Sequence, residues 1–397
     1  MAVKIVRQPK KIALIGAPTS AAALAGGHER APAALRAAGL VERLQSLGYE
    51  VTDLGDCAVQ TFQPDDEHPR ARNVRGVLAA LNDLKPRVEQ AVKSSALPLI
   101  LGGDCSIALA TIAGARRYYR NVSLVYVDRD ADLNIPATTP SGCVDGMVVS
   151  HVVGRGAPEL VRFWGEPPLV REPDVALFGF ERLDAPEQEF LTRSPIRRYL
   201  ADDITRQGVA AAAQAALERV HAAAHEFVLH FDVDTISSED FRATNYPGSG
   251  GLRLDQVREA LTVFARQSTL AAFEITVYNP ALDADGSGAK TILELIAAVF
   301  GERFAVLAGA EAAAPTASPT EAPAAAPTAA PAAEAPAPEQ AAAQPTPPAE
   351  SAAPESSQPA EPPATTSAQA PPEPLSEPAE TSAAEAPATP EPESSGS

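Results

Sequence analysis

Short apolar runs alternate with longer amphipathic stretches through roughly the first 300 residues of the chain. The runs are rich in Val, Ile, Leu and Phe and often end in glycine or aspartate, as buried strands do. We predict strands over residues 11–18, 50–55, 96–104, 124–127, 174–180, 227–234 and 270–278. We predict helices over residues 31–44, 74–93, 208–226, 254–267 and 290–300, and two more that begin at residue 106 and near residue 145. Pro86 should kink or restart the helix over residues 74–93. This alternation indicates an α/β fold with a mostly parallel sheet covered on both faces.

Two of the predicted strands end in closely spaced aspartates. Asp128, Asp130 and Asp132 follow one strand, and Asp232 and Asp234 end another. In an extended chain residues two apart point the same way, so each set can converge at one point. Crowded carboxylates repel one another, and a cation removes that repulsion. In open α/β sheets ligands bind outside the carboxyl ends of the strands. The pattern therefore predicts a polynuclear metal site at this edge, with capping of loops by separate aspartates as the alternative.

The composition of the chain changes sharply after Arg303. The remaining residues contain no Lys, Arg or Asp, and they hold 13 Glu and 21 of the 38 prolines among Ala, Ser and Thr. Such a segment buries too little apolar surface to offset the entropy lost on ordering. We therefore predict one folded domain over residues 1–309 and a disordered Pro/Ala/Glu-rich tail over residues 310–397.

Charge and cysteine content narrow the class of protein. The tail glutamates account for most of the net charge of −19, which leaves about −6 for the rest and argues against nucleic-acid binding. No long apolar run suggests a membrane span or an export signal. Three scattered cysteines fit a reduced cytosolic setting better than a disulfide framework. We expect a soluble, cytoplasmic protein with a small-molecule substrate, no nucleic-acid or membrane partner, and assembly as a homo-oligomer.

A series of ordered motifs runs from about residue 11 to residue 303. In chain order they are Ile15-Gly-Ala-Pro-Thr-Ser20, Gly26-Gly27, Leu35-Arg-Ala-Ala-Gly-Leu40, Gly102-Gly-Asp-Cys-Ser106, Asp128-Arg-Asp-Ala-Asp132, Ser141-Gly-Cys-Val-Asp-Gly146, Phe231-Asp-Val-Asp234, Ala243-Thr244 and Gly250-Gly251-Leu252. Their order and spacing resemble those of the arginase/agmatinase (ureohydrolase) family. The resemblance implies a three-layer α/β/α domain around a mostly parallel sheet.

The resemblance also implies a metal centre. The family holds two Mn²⁺ ions with four Asp and two His, and activated water attacks a guanidinium carbon. Carried over position by position, the ligands here are Cys105, Asp128, Asp130, Asp132, Asp232 and Asp234. Cys105 and Asp130 stand where the family has His. A thiolate suits Zn²⁺ or Fe²⁺ better than Mn²⁺, so the identity of the metal stays open.

Two further positions depart from the family pattern. The histidine that handles protons in the family falls on Asp145, and the glutamate that holds the guanidinium falls on Val277. Glu274, three residues upstream, is an alternative acceptor. Four positions match family residues that contact the amino-acid end of the substrate, namely Asn134, Ser141, Asp184 and Glu187.

Three functions are compatible with these motifs. We favour a metal-dependent ureohydrolase-like C–N hydrolase that acts on a guanidino, amidino or related small metabolite other than ordinary arginine. The alternative is a catalytically silent arginase-fold protein that binds a metabolite or a partner. A nucleotide-binding enzyme is disfavoured because no Gly-x-Gly-x-x-Gly or Walker loop follows a strand. Strand alternation places the His230 side chain on the same side of the strand as Asp232 and Asp234. We expect a hydrogen-bonded histidine in the core or next to the metal site, with a role as a metal ligand as the alternative.

Overall fold

The computed structural model describes residue 8 and residues 10–222 and 226–313. Within these ranges eight strands form one sheet in which all neighbouring pairs are parallel, in the order β2-β1-β3-β8-β7-β4-β5-β6. The strands are β1 (Lys11–Ala17), β2 (Glu50–Asp56), β3 (Leu97–Gly102), β4 (Val122–Val127), β5 (Val175–Phe180), β6 (Arg197–Leu200), β7 (Glu226–Asp232) and β8 (Leu270–Thr276). The predicted α/β class with a parallel sheet is confirmed.

Helices cover both faces of this sheet. They are α1 (Ala31–Ala37), α2 (Leu40–Ser46), α3 (Val74–Lys93), α4 (Ala108–Arg116), α5 (Val148–Val152), α6 (Pro158–Val161), α7 (Ala185–Arg193), α8 (Ala201–Gln207), α9 (Val209–His221), α10 (Leu254–Ala265) and α11 (Ser287–Ala313). Alternate strand residues face opposite sides: Val125 packs in the core with α9, α10 and α11, whereas Leu124 and Tyr126 pack in the core with α3, α4 and α5. The result is the predicted three-layer arrangement.

Two helix predictions differ from the structure. Residues 31–44 form two helices, because Gly39 adopts a left-handed φ of 92° between α1 and α2. The second helix, α3, runs without interruption through Pro86. Leu84 and Val88 on either side of this proline are buried, and ion pairs between Lys85 and Glu89 and between Asp83 and Arg87 span the same turn. Packing and these pairs offset the hydrogen bond that proline cannot donate.

Three elements between residues 185 and 207 are absent from the sequence prediction. Helices α7 and α8 flank β6, a four-residue strand at the edge of the sheet. The β6 segment Arg197–Leu200 is mostly exposed and begins with two arginines, so it contains no apolar run. Charged side chains are common on edge strands, where they discourage pairing with another chain.

The boundaries at the chain ends also shift. Helix α11 starts before the predicted residue 290 and extends to Ala313, past the predicted domain boundary at residue 309. The rest of the predicted tail, like residues 1–7 at the start, lies outside the described residues. None of the helices in the described ranges has both the length and the apolar character that a membrane span requires.

Candidate metal centre

A cavity of about 180 Å³ opens where β3, β4 and β7 end. Its walls carry all six predicted metal ligands together with the predicted proton carrier and one predicted substrate contact. The lining residues are Leu24, Cys105, Asp128, Asp130, Asp132, Ser141, Cys143, Asp145, Gly146, Asp232, Asp234 and Tyr246. The parallel topology brings these positions together, since the carboxyl ends of parallel strands lie at one edge of the sheet.

The convergence of the aspartates after β4 does not arise from an extended strand, as the sequence suggested. Strand β4 ends at Val127, and the Asp128 carboxylate accepts a hydrogen bond from the Asp130 N–H at 2.7 Å. Asp132 then adopts a left-handed φ of 51°. After β7, Asp232 accepts the Asp234 N–H at 2.7 Å in a similar turn. Tight turns, not strand alternation, aim these carboxylates into the cavity.

The carboxylates are crowded enough to perturb one another. Burial raises the pKa values of Asp128, Asp132 and Asp232 well above the usual range, and the charges of neighbouring aspartates raise them further. The pKa of Asp130 is raised to about 7, first by burial and then by the charge of Asp234. Without a cation the cluster would therefore hold protons near neutral pH, because desolvation and like charges both disfavour the ionised form.

Arg182 contributes a positive charge that sequence reasoning missed. Its Nη2 donates hydrogen bonds to Oδ2 of Asp130 and, at 2.9 Å, to Oδ2 of Asp234. Arg182 follows β5, which lies next to β4 in the sheet, and its backbone forms a bridge with Asp130. The sequence does show an arginine shortly after the predicted strand at residues 174–180. Its two partners lie 52 residues before and 52 residues after it, so no local pattern in the sequence pairs them.

The residues present fit a divalent cation. Possible ligand atoms of Cys105, Asp128 and His230 lie within 4.8 Å of one another, and so do those of Asp128, Asp232 and Asp234. Oδ1 of Asp234 is buried and has no hydrogen-bond partner among the described residues. Asp128 belongs to both groups, as expected of a carboxylate shared by two ions. A buried carboxylate oxygen without a donor is stabilised by a bound cation.

Two predicted ligands lie outside these groups although they line the cavity. Asp130 is held by Arg182, and Oδ2 of Asp132 accepts a hydrogen bond from the Tyr126 hydroxyl at 2.5 Å. His230, which the sequence placed beside Asp232, joins the first group instead.

Comparison with known proteins identifies the family. The sequence model of the Arginase family matches residues 10–301. The chain belongs to the arginase family. The arginase of Bacillus caldovelox is 30% identical over 296 residues, covering 74% of this chain and 99% of that relative. Homologues in the family are hydrolases of C–N bonds in non-peptide amidines.

Solved structures of arginase-fold proteins agree with this assignment. The crystal structure of the Bacillus caldovelox arginase has a TM-score of 0.68 and 29% identity, covering 74% of this chain and 98% of that one. The formimidoylglutamase of Bacillus subtilis has a TM-score of 0.59 at 19% identity, over 74% of this chain and 87% of its own. The second comparison extends the likeness of fold to a protein named for a different reaction.

The Cys105 side chain, one of the predicted metal ligands, is buried beside Asp232. Its Sγ lies 3.0 Å from Oδ2 of Asp232 and 3.3 Å from the Thr276 hydroxyl oxygen, and its single hydrogen can be donated to either one. Burial raises the pKa of the thiol well above its usual range, and the charge of Asp232 raises it further. The thiol must lose this proton before it can bind a metal. The second cavity thiol, Cys143, donates to the Ala22 carbonyl at 2.9 Å, so each sulfur has a separate partner.

Asp145, the predicted proton carrier, lies next to Cys105 in the cavity wall. Its carboxylate accepts the Cys105 N–H at 2.7 Å, which fixes it beside the metal cluster. Burial raises the pKa of Asp145 well above the usual range, with a further contribution from the charge of Asp104. A carboxyl group that stays protonated near neutral pH can donate a proton to a leaving group.

The predicted substrate contacts divide into two sets. Ser141 lines the cavity, where its Oγ accepts the Cys143 N–H at 3.1 Å. Asn134 instead donates to Asp184 at 2.8 Å, while Glu187 accepts the N–H groups of Leu133 and Asp184, both at 2.8 Å. Asp184 and Glu187 thus cap the start of α7 and tie it to the loop after Asp132. Contact of these residues with a substrate stays a prediction.

Val277 and Glu274, the two positions considered in the sequence for holding a guanidinium, are both buried. Val277 is fully buried with a left-handed φ of 66°, and its N–H donates to the Gly103 carbonyl at 2.8 Å. The alternative acceptor, Glu274, is also fully buried, with Oε1 2.7 Å from Nδ1 of His230. Neither residue is part of the cavity wall.

Proposed function

We propose that this chain is a metal-dependent hydrolase of C–N bonds in small guanidino or amidino metabolites, and that arginine and agmatine are poor substrates. The observation that supports the metal centre is the buried carboxylate of Asp128, which belongs to two groups of possible ligands at the floor of one cavity. The family resemblance points to two Mn²⁺ ions, while Cys105 favours Zn²⁺ or Fe²⁺.

The chemistry of such a site can be assigned to named residues. Bound divalent ions would polarise the substrate and lower the pKa of the attacking water. Asp145 holds a proton beside the cavity and donates it to the departing nitrogen, since burial keeps its pKa high. Arg182 holds Asp130 and Asp234 in place through hydrogen bonds to both carboxylates. Ser141 presents a hydroxyl to the substrate from the cavity wall.

The choice of substrate follows from Val277 and Glu274. A guanidinium needs a carboxylate acceptor, and losing the charged partner of a buried group costs about 2–5 kcal/mol. At about 1.4 kcal/mol per tenfold, the smaller figure already corresponds to a loss of about 30-fold. Because Val277 is apolar and Glu274 is paired with His230, an arginine side chain finds no such acceptor at this position.

A catalytically silent binding protein is the second candidate, and one contact favours it. Arg182 already neutralises part of the cluster that two divalent ions would otherwise neutralise. If the guanidinium replaces one ion, the remaining site can bind a metabolite without activating water. Metal content separates the two proposals, because the hydrolase needs bound metal and the silent fold does not.

The test combines metal analysis with a substrate panel. Purified full-length chain is loaded with Mn²⁺, Fe²⁺ or Zn²⁺, its bound metal is counted, and release of urea or ammonia is measured from arginine, agmatine and other guanidino and amidino acids. The matched control is Asp128→Asn, which keeps the side-chain volume and removes the shared charge.

Turnover of a compound other than arginine, lost in Asp128→Asn, supports the proposal. Absence of bound metal together with absence of turnover favours the silent protein, and bound metal without turnover of any compound argues against the hydrolase. Rapid urea release from arginine at neutral pH refutes the substrate assignment.

A further inference from the structure

His230 lies in a fixed environment at the floor of the metal centre. It is the third residue from the end of β7 and is fully buried. The parallel register pairs it with Tyr126 of β4 on one side and Glu274 of β8 on the other. The imidazole stacks on the Tyr126 ring at 4.1 Å with an interplanar angle of 6°, and its Nδ1 lies 2.7 Å from Oε1 of Glu274. The ring is therefore held on both sides.

The Glu274 carboxylate determines which nitrogen of His230 is available. A carboxylate only accepts hydrogen bonds, so Nδ1 carries the proton and Nε2 keeps its lone pair. Nε2 lies 3.3 Å from the Thr276 hydroxyl, whose single hydrogen also has the Phe231 carbonyl as an acceptor at 3.3 Å. The same hydroxyl lies 3.3 Å from Sγ of Cys105, so the Nε2 lone pair faces the side of the cluster that holds Cys105. Possible ligand atoms of Cys105, Asp128 and His230 lie within 4.8 Å of one another.

We propose that His230 is a metal ligand, which supplies from β7 the imidazole that this chain lacks at Cys105. A histidine bound to a metal through one nitrogen commonly donates its other N–H to a carboxylate, which fixes the tautomer and strengthens the ligand. Glu274 has that position here and acts as a positioning residue. This explains why Glu274 is turned inward and not toward a guanidinium.

The ligand set also bears on the metal. Thiolate, imidazole and carboxylate together suit Zn²⁺, Fe²⁺ or Co²⁺, whereas Mn²⁺ prefers oxygen ligands. We therefore expect the group of Cys105, Asp128 and His230 to select the softer ions. This inference rests on the metal binding proposed above, and its test separates the two.

The experiment uses Co²⁺ as a spectroscopic probe in the full-length chain. Visible absorption reports the coordination of the ion, near-ultraviolet charge transfer reports the Cys105 thiolate, and competition with a chelator gives the affinity. The variants are His230→Asn and Glu274→Gln. The matched control is His151→Asn, because His151 is also buried and hydrogen-bonded but belongs to neither ligand group.

We expect His230→Asn to shift the visible bands and to weaken Co²⁺ binding. Residues that support a metal ligand typically change the affinity by about 10- to 100-fold, so the loss of a ligand itself should reach or exceed that range. Glu274→Gln should weaken binding within that range while the bands keep their imidazole character. His151→Asn should match the parent protein in both readouts. Unchanged affinity and bands in His230→Asn would overturn the assignment and leave the proposed metal dependence intact.

A second measurement covers the case in which His230→Asn does not fold. X-ray absorption at the metal edge of the Zn²⁺-loaded parent protein should show one sulfur and the outer-shell scattering of an imidazole. Among the described residues no other histidine belongs to a ligand group, so imidazole scattering identifies His230. Sulfur without imidazole overturns this inference alone. A parent protein that takes up no Zn²⁺, Fe²⁺ or Co²⁺ overturns both this inference and the proposed function.

Discussion

Replacing Arg182 by methionine removes a cation from between two carboxylates and keeps most of the aliphatic side chain. Arg182 contacts Asp130 and Asp234 through the same nitrogen. The two carboxylates differ in environment: the Asp234 side chain is 1% exposed, whereas those of Asp130 and Arg182 are 36% and 37% exposed. The two contacts must therefore be valued separately.

The contact with Asp234 accounts for most of the expected loss. A hydrogen bond to a charged group contributes about 1.5–3 kcal/mol, and a buried carboxylate left without its partner adds a desolvation cost. The partly exposed pair with Asp130 contributes about 1 kcal/mol or less because solvent screens it. Some of the loss is recovered when the carboxylates bind protons, since their pKa values are already raised. We expect Arg182→Met to destabilise the metal-free protein by about 3 kcal/mol at pH 8.

Urea denaturation of chelator-treated full-length protein measures this value. Arg193→Met is the matched control, because Arg193 pairs with Glu189 in an ion pair whose side chains are 72% and 71% exposed, and such pairs contribute about 0.2–1 kcal/mol. Adding Asp234→Asn to Arg182→Met should recover part of the loss, since it removes the unpaired buried charge. A loss in Arg182→Met no larger than in Arg193→Met would refute the view that the guanidinium neutralises the cluster.

Three further predictions concern the centre and the tail. Chelation should lower the unfolding temperature more at pH 8 than at pH 5.5. The pKa of Asp130 is raised to about 7, so its protonation stabilises the metal-free folded state fully below the unfolded pKa, and this stabilisation is lost as pH rises through 7. No shift at either pH would mean that the cluster holds no structural metal, whereas equal lowering at both would mean that the cation does not act by offsetting the repulsion among the carboxylates. Urea release from arginine and agmatine at pH 7.5 should be slow with any of Mn²⁺, Fe²⁺ or Zn²⁺, because the Val277 side chain cannot accept a hydrogen bond. A Val277→Glu variant that folds should release urea faster. An unchanged rate in that variant would argue against the missing acceptor as the cause. Truncation after Ala313 should leave the thermal midpoint within a few degrees, because the removed segment has no periodic apolar face; a larger drop, measured by calorimetry, would mean that the tail packs against the domain.

The sequence alone determined the class of fold and the place of the candidate site. Seven of the eight strands in the described residues were predicted from the sequence, most of them from apolar runs, and β6 was missed because it begins with two exposed arginines. The aspartates at the ends of β4 and β7 had to meet, because a parallel sheet puts both strand ends at one edge. The order and spacing of the motifs also pointed to the arginase family.

Only the tertiary structure decided how the charges and hydrogen bonds are paired. His230 meets Tyr126 and Glu274 because the parallel register aligns these three residues in one row across β4, β7 and β8. Arg182 reaches Asp130 because β5 ends beside β4. The hydrophobic pattern of a strand indicates which face it buries, but it does not name the neighbouring strand or the residue of that strand that lies alongside. The residues that recognise each other here are 44 to 104 positions apart, so their pairing appears only when the sheet has assembled.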